Sequence, residues 1–379
     1  MRAIGLVRGE NSVQTFDLPK PEITQPDEVL VRIKEVGLDG TDYNVVRYGP
    51  DMAPDKNRMV MGHEAVGIVE DIGGDVKSLV PGDIVSITVR RGCGICHPCL
   101  HNQSDMCMTG LFKERGIHKL DGFLSEYAVD QEQYMVKVPR EMKHLAVLTE
   151  PVSIAEKGID QIRIIQSRFP WTCPHPEHDF KSPDWGNCKT GLVVGAGPLG
   201  LLAASLLRLA QVNIMVADIV PDSHPKAGLV NYLGAKYVDT SDKSPRELME
   251  YCEVHGGSVD ILFEASGAAS TALQLISYMA RSSIYIMTGI PRDELNLNID
   301  AGQVIRHMVK NNEVVVGSVN SNRSHFEKAL LQMTRINLEF PELCQKILTD
   351  RVKFNDFQEA FTPKGPKFIK TVIEVDPWD

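Results

Sequence analysis

Hydrophobic and polar positions change rhythm along this chain. In the first part, short apolar runs alternate with polar residues and end at turn formers. Ala3-Ile4-Gly5-Leu6-Val7 and Val29-Leu30-Val31-Arg32-Ile33 predict strands, and residues 67–89 predict two more around the turn Pro81-Gly82-Asp83. Further punctuation comes from Lys20-Pro21 and Gln25-Pro26. Residues 1 to about 140 therefore predict an irregular, mostly β domain of barrel-like type. From Gly191 the runs become continuous. Gly191-Leu192-Val193-Val194 predicts a buried strand, Leu199–Ala210 a helix and Val212–Val216 a second strand. Val259–Phe263, Ser283–Met287 and Val314–Val316 follow, separated by helical stretches. Such runs belong to a parallel sheet covered by helices on both faces, so the fold class is α/β with a doubly wound parallel sheet. The end returns to mixed structure, with a helix near His325–Met333 and a strand at Phe368–Glu374.

Composition narrows the partners. A chain of 379 residues, 43% of them hydrophobic, can fill two cores. The net charge of -10 argues against nucleic acid or an anionic membrane as partner. No secretory signal opens the chain, which points to the cytoplasm. The apolar stretch Gly191–Val212 is long enough to suggest a membrane helix. Its four glycines, its proline and Arg208 fit a nucleotide-binding turn better.

That turn is Gly195-Ala196-Gly197-Pro198-Leu199-Gly200, a G-x-G-x-x-G between a strand and a helix. The first glycine permits the tight turn and the second lets backbone approach a pyrophosphate. The third lets helix and strand pack closely, and the phosphates meet the positive end of the helix. Asp218 ends the next strand, eighteen residues past Gly200. A carboxylate there binds the adenosine ribose hydroxyls and repels a 2′-phosphate. Ile219 and Val220 offer no arginine to receive one, so NAD is expected over NADP.

Four of the eight cysteines crowd into Cys93-x-x-Cys96-x-x-Cys99 and Cys107. Four thiolates at this spacing close a tetrahedral shell, which predicts a structural zinc. A second constellation is spread wider: Asp39, His63, Glu64 and Glu150. A catalytic zinc takes three protein ligands and keeps one position open. Residues 169–189 carry Cys173, His175, His178 and Cys188, but no gap between them copies a known ligand spacing. That segment reads as a packed loop and a hinge between domains.

Together these residues resemble the zinc-dependent medium-chain dehydrogenases. Gly62-His63-Glu64-Ala65-Val66-Gly67 with Gly73 and Val76 is similar to that family's zinc signature, and the cysteine lobe and glycine turn follow in order. The resemblance implies a GroES-like catalytic domain in two pieces, 1–185 and 319–379, around a Rossmann domain at 186–318. It places the active site in the cleft between them and implies a homo-oligomer, dimer or tetramer. The family usually has cysteine as first zinc ligand, where this chain has Asp39. Oxygen donors are harder than thiolate, so this zinc is expected to be more electrophilic and more easily lost. Thr41 matches the hydroxyl residue that passes the substrate proton outward, and Asn44 stands where a histidine commonly receives it.

Three segments resemble the glucose dehydrogenase branch. Glu150-Pro151-Val152-Ser153-Ile154-Ala155-Glu156-Lys157 carries the third zinc ligand, which also meets the substrate. Glu114 stands before Gly116-Ile117, where the branch places a carboxylate on sugar hydroxyls. Val316-Gly317-Ser318-Val319-Asn320-Ser321 brings an asparagine between sugar and nicotinamide. Lys370 resembles a basic residue that meets the pyrophosphate, and Ser266, Thr288, Gly289 and Ile290 resemble loops beside the nicotinamide. The implied reaction is oxidation of an aldose, glucose foremost, at C1 to the lactone, with hydride transfer to NAD(P). Glu64 would orient water at the metal or exchange as a ligand. Rival readings are a zinc-dependent polyol, threonine or alcohol dehydrogenase, or a redox-inactive protein on the same fold.

Overall fold

Glu28–Leu38 is an eleven-residue strand, and its neighbours explain why its burial barely alternates. It pairs antiparallel with Glu64–Ile72, Tyr127–Gln131 and Thr371–Glu374. Val29, Val31, Ile33, Val36 and Leu38 are buried, and so are Lys34 and Glu35. The alternating Val29–Ile33 run predicts one wet face, but further along the strand that face is covered too: Lys34 Nζ donates to Asp376 Oδ2 at 2.7 Å, and Glu35 Oε1 accepts from Arg351 Nη1 at 2.7 Å and Trp378 Nε1 at 2.9 Å. The computed structural model describes residues 1–379 except 11, 170–172, 174–177, 292–295, 363, 366 and 379. Among the described residues, packing divides the chain into two units. The first holds Met1–Ser153, Asn320–Thr334 and Cys344–Asp379. The second holds Ile154–Val319 and Arg335–Leu343. The first division falls inside the helix Thr149–Gln166.

The first unit is mostly β. Its seven-stranded sheet runs Met135–Val138, Ile84–Ile87, Glu64–Ile72, Glu28–Leu38, Thr371–Glu374, Asp350–Lys353, with Tyr127–Gln131 branching from Glu28–Leu38. A smaller sheet joins Gln14–Asp17, Arg2–Val7 and Arg58–Val60. Ile4, Leu6, Val31, Ile33, Met61 and Phe123 lie in the shared apolar core. The expected strands at 3–7 and 29–33 and the pair within 67–89 are all present.

The second unit carries six parallel strands in the order Lys236–Asp239, Asn213–Asp218, Thr190–Val194, Ile261–Glu264, Ile284–Met287, Val314–Gly317. The chain starts in the middle of this sheet, winds outward to one edge, then returns and winds to the other. That order is the doubly wound dinucleotide-binding topology. Helix Pro198–Leu209 buries Leu201, Leu202, Ala203, Ala204, Leu206 and Leu207. The membrane-like stretch is therefore a strand, a turn and a core helix, and among the described residues no helix is long and apolar enough to cross a membrane.

One buried ion cluster braces the first unit. Asp130 accepts from Arg91 Nη2 and Arg115 Nη2, both at 2.5 Å, and is 8% exposed. Burial raises its pKa, but the two guanidiniums outweigh it and hold it down, from 3.8 to about 2. A depressed folded pKa means the unfolded chain takes up the proton first. The stabilisation is complete above pH 4, about 2 kcal/mol, and is lost as pH falls toward 2. Asp130→Asn strands two buried cations and should cost about 3–5 kcal/mol. Calorimetry should show a lowered melting temperature at pH 7, and a variant that melts with the parent would refute the bracing role.

Candidate active site and cofactor cradle

Asp39 follows the central strand and caps the helix Gly40–Tyr48. Its Oδ1 accepts from Thr41 N at 2.7 Å and Asp42 N at 3.2 Å, and Asp42 Oδ2 accepts from Asp39 N at 3.0 Å. This reciprocal capping box fixes both carboxylates. His63 precedes the strand Glu64–Ile72 and lies between them. Its Nε2 is 3.7 Å from Asp39 Oδ1 and its Nδ1 is 3.5 Å from Asp42 Oδ1. Glu150 comes from the first turn of helix Thr149–Gln166. His63, Glu64 and Glu150 are all buried, with ligand atoms within 4.8 Å of one another. Asp39, Asp42 and His63 form an overlapping set of the same kind.

Lys370 supplies the cation. Its Nζ lies 2.5 Å from Glu64 Oε2 and donates to Leu38 O at 3.2 Å, and its side chain is fully buried. Lys370, expected at the pyrophosphate, has its ammonium beside a carboxylate inside the first unit. A dry ammonium needs such a partner. The strand register enforces the pair, because Gly37 stands opposite both Glu64 and Val372. A Cβ on Gly37 would lie 2.0 Å from Glu64 Oε2 and 3.2 Å from Lys370 Cε. Only glycine leaves room there.

The electrostatics are lopsided. Four carboxylates, Asp39, Asp42, Glu64 and Glu150, face one ammonium and one imidazole. Burial pushes the Glu150 carboxyl up to about 8, and Glu64 and Asp39 add to it against the pull of His63 and Lys370. Burial likewise raises Glu64. Burial opposes charge on His63, yet Asp42 and Asp39 hold its pKa well above the ordinary value. Burial would raise Asp39, but His63, Lys370 and two backbone N–H groups bring it below. Excess buried negative charge around an imidazole fits a divalent cation, and cation uptake here releases protons. Sequence reasoning missed Asp42. Its signal was the acid three residues after the helix cap, and its effect is to orient the His63 ring.

Other expected site residues group as follows. Thr41 Oγ1 donates to Asp39 Oδ2 at 3.2 Å. Glu114 and Asn320 come together: Asn320 Nδ2 donates to Glu114 Oε1 at 2.7 Å, and Arg90 Nε and Nη2 reach the same oxygen at 3.0 and 2.8 Å. Asn320 adopts a left-handed φ of 59°, which asparagine tolerates. Cys93, Cys96, Cys99 and Cys107 converge, with Sγ separations of 3.9 Å for Cys93–Cys99 and 3.3 Å for Cys96–Cys99. Four thiols at tetrahedral spacing fit zinc.

In the second unit the glycine turn has the required shape. Gly195 has φ of +98°, and a Cβ on Gly200 would lie 1.8 Å from Gly195 O. At Gly197 a Cβ would meet open space, the cradle that a pyrophosphate needs ahead of the helix starting at Pro198 and Leu199. Asp218 Oδ2 accepts from Ala196 N at 2.8 Å and so ties the ribose position to the turn. Lys226 Nζ lies 3.4 Å from the same oxygen, a cation the sequence reading did not anticipate. Glu264, also missed, organises the loops expected beside the nicotinamide. Its Oε1 accepts from Ser266 Oγ at 2.6 Å and Gly267 N at 2.8 Å, while its carbonyl accepts from Thr288 Oγ1 at 2.7 Å and Gly289 N at 3.2 Å. Ile290 follows, 63% exposed. The residues present thus fit a nicotinamide dinucleotide.

Comparison with known proteins decides the family. Residues 143–375 match the family described as glucose dehydrogenase C-terminus, and residues 25–140 match the alcohol dehydrogenase GroES-like domain. The chain is 36% identical to glucose 1-dehydrogenase 2 of Vulcanisaeta moutnovskia, over 99% of each chain. The chain belongs to the glucose dehydrogenase family of zinc-dependent medium-chain dehydrogenases. Glucose 1-dehydrogenase of Methanocella arvoryzae is 32% identical over 99% of each chain. Among solved structures, the Haloferax mediterranei glucose dehydrogenase in complex with NADP, Zn and gluconolactone matches with a TM-score of 0.87 and 31% identity, covering all of both chains. Membership makes this protein an NAD(P)-dependent oxidoreductase with a GroES-like unit and a Rossmann unit.

Proposed function

We propose that this protein oxidises D-glucose at C1 to the lactone and passes the hydride to NAD(P), with NAD preferred. The observation that carries this reading is the buried His63, Glu64 and Glu150 cluster with Asp39 beside it. The solved relative that holds NADP, Zn and gluconolactone supports the substrate class. Asp39, His63, Glu150 and, by exchange, Glu64 would hold the metal. When bound, zinc acts as a Lewis acid on the sugar hydroxyl and nicotinamide accepts the hydride.

The chain's own residues do the rest. Thr41 Oγ1, while donating to Asp39, can accept from the sugar hydroxyl and aim its proton away from the reacting carbon. Glu114 receives Arg90 and Asn320 on Oε1, which directs Oε2 to a sugar hydroxyl, and Asn320 stands beside it. A site that reads hydroxyls this way rejects analogues lacking one. Lys370 Nζ, 2.5 Å from Glu64 Oε2, favours the charged carboxylate against the burial that raises its pKa. The cysteine thiols, all free, suit a reducing cytoplasm. Helix Ala301–Asn311 leaves Ile305 and Val309 exposed, which suits a homo-oligomer.

The test is reduction of NAD and NADP by purified protein with glucose, before and after chelation. Chelator-sensitive, glucose-dependent reduction is expected, faster with NAD. Reduction with polyols but not glucose would overturn the substrate assignment. Asp218 carries the cofactor preference, but Lys226 can offer a 2′-phosphate a charge once freed. Asp218→Ala should therefore lower the NAD over NADP ratio of kcat/KM by about tenfold or more, worth about 1.4 kcal/mol. An unchanged ratio would remove Asp218 from the specificity argument.

A further inference from the structure

The segment ahead of the first parallel strand contains a donor cluster that the dehydrogenase reaction does not use. We propose that Cys173, His178 and Cys188 form a further metal site, separate from the carboxylate centre and the four-cysteine lobe, that takes a zinc-class cation. Their ligand atoms lie within 4.8 Å of one another. Cys188 Sγ is 3.7 Å from His178 Nδ1, and Cys173 is 8% exposed. Zinc bonds of about 2.3 Å to sulfur and 2.0 Å to nitrogen, at the tetrahedral angle, set an S···N edge of about 3.5 Å and an S···S edge of about 3.8 Å. The observed edge has that scale, as do the 3.3 and 3.9 Å edges within the cysteine lobe. Two thiols and an imidazole are soft donors, which select zinc over magnesium or calcium.

The surroundings hold the donors still. The His178 ring lies 4.1 Å from the Phe180 ring, and the Phe180 carbonyl accepts from Arg163 Nε at 3.1 Å. Phe180 and Trp185 are buried. Gly186 N donates to Ala210 O at 2.8 Å, and a Cβ on Gly186 would lie 2.2 Å from Val212 Cγ2. Lys189 O accepts from Asn213 N at 2.9 Å. Gly186 and Lys189 are thus fixed to residues 210–213, and the cation would tie Cys173 and His178 to Cys188 ahead of Thr190–Val194. Sequence spacing did not reveal this site, because the gaps copy no standard motif and the fold makes the cluster. His175, a donor candidate from the same segment, lies outside the described residues.

The experiment is zinc analysis of the purified full-length enzyme and of Cys188→Ser and His178→Gln. Each variant is expected to hold one zinc fewer than the parent while keeping glucose-independent NADH binding and the zinc of the other two sites. A melting temperature lowered in the variants, and lowered equally in chelated parent and chelated variant, would agree with a staple. Two results overturn the proposal: equal zinc content in parent and variants after incubation with excess zinc, or a Cys173–Cys188 disulfide in freshly purified parent by non-reducing peptide mapping. Cobalt(II) titration of the parent needs no variant. One thiolate-containing cobalt site, not two, would overturn it as well.

Discussion

Asp39→Ala should lose one zinc relative to the parent and about a thousandfold in kcat/KM, while NADH binding by fluorescence titration stays unchanged. The metal is asked to supply several kcal/mol of charge stabilisation, and about 4 kcal/mol corresponds to that factor. Asp39 also caps the helix Gly40–Tyr48, so alanine removes a structural hydrogen-bond pair worth about 1 kcal/mol. Asp39→Asn separates the two roles. Asparagine caps as well as aspartate but brings no negative charge to the metal. If zinc and activity fall in the asparagine variant while melting does not, ligation is the function of the residue. An asparagine variant that is active and fully metallated would sink the assignment.

Lys370→Met should be strongly destabilising. Its ammonium lies among Asp39, Glu64 and Glu150, and it is fully buried. Burial disfavours its charge, but Glu64 and Asp39 raise its pKa above the ordinary value. Removing one partner of a buried pair costs about 3–5 kcal/mol. At about 2–4 °C per kcal/mol, the melting temperature should fall by about 10 °C. The fall should be larger in chelated protein, because a bound divalent cation offsets part of the missing charge. A raised KM for NAD with unchanged melting would instead favour the pyrophosphate role for Lys370.

These two residues also mark the limit of what the sequence discloses. The glycine turn is legible because its three glycines act locally: one φ, one open approach, one close contact. The cysteine lobe is legible because its ligands lie close along the chain. The parallel sheet is legible because buried strands must be continuously apolar. The Lys370–Glu64 pair is not, since it depends on a strand register joining residues far apart. Asp42 looks like an ordinary helix-start acid until His63 is set beside it. Lys226 reaches Asp218 only because a helix begins at Pro225. Glu264 ends an apolar strand and shows its purpose only through the two loops it holds.

The carboxylate centre also has a timetable. Its donors come from residues 39, 63, 64 and 150, and its ammonium from residue 370. The cysteine lobe spans only residues 93–107. Chains emerge from the ribosome at about 5–20 residues per second and fold as they go. The lobe can therefore capture its zinc while most of the chain is still unmade, whereas the carboxylate centre waits until Thr371–Glu374 has docked beside Glu28–Leu38. A cell short of zinc would accumulate protein metallated in the lobe and empty at the reaction centre, folded but awaiting its last ion.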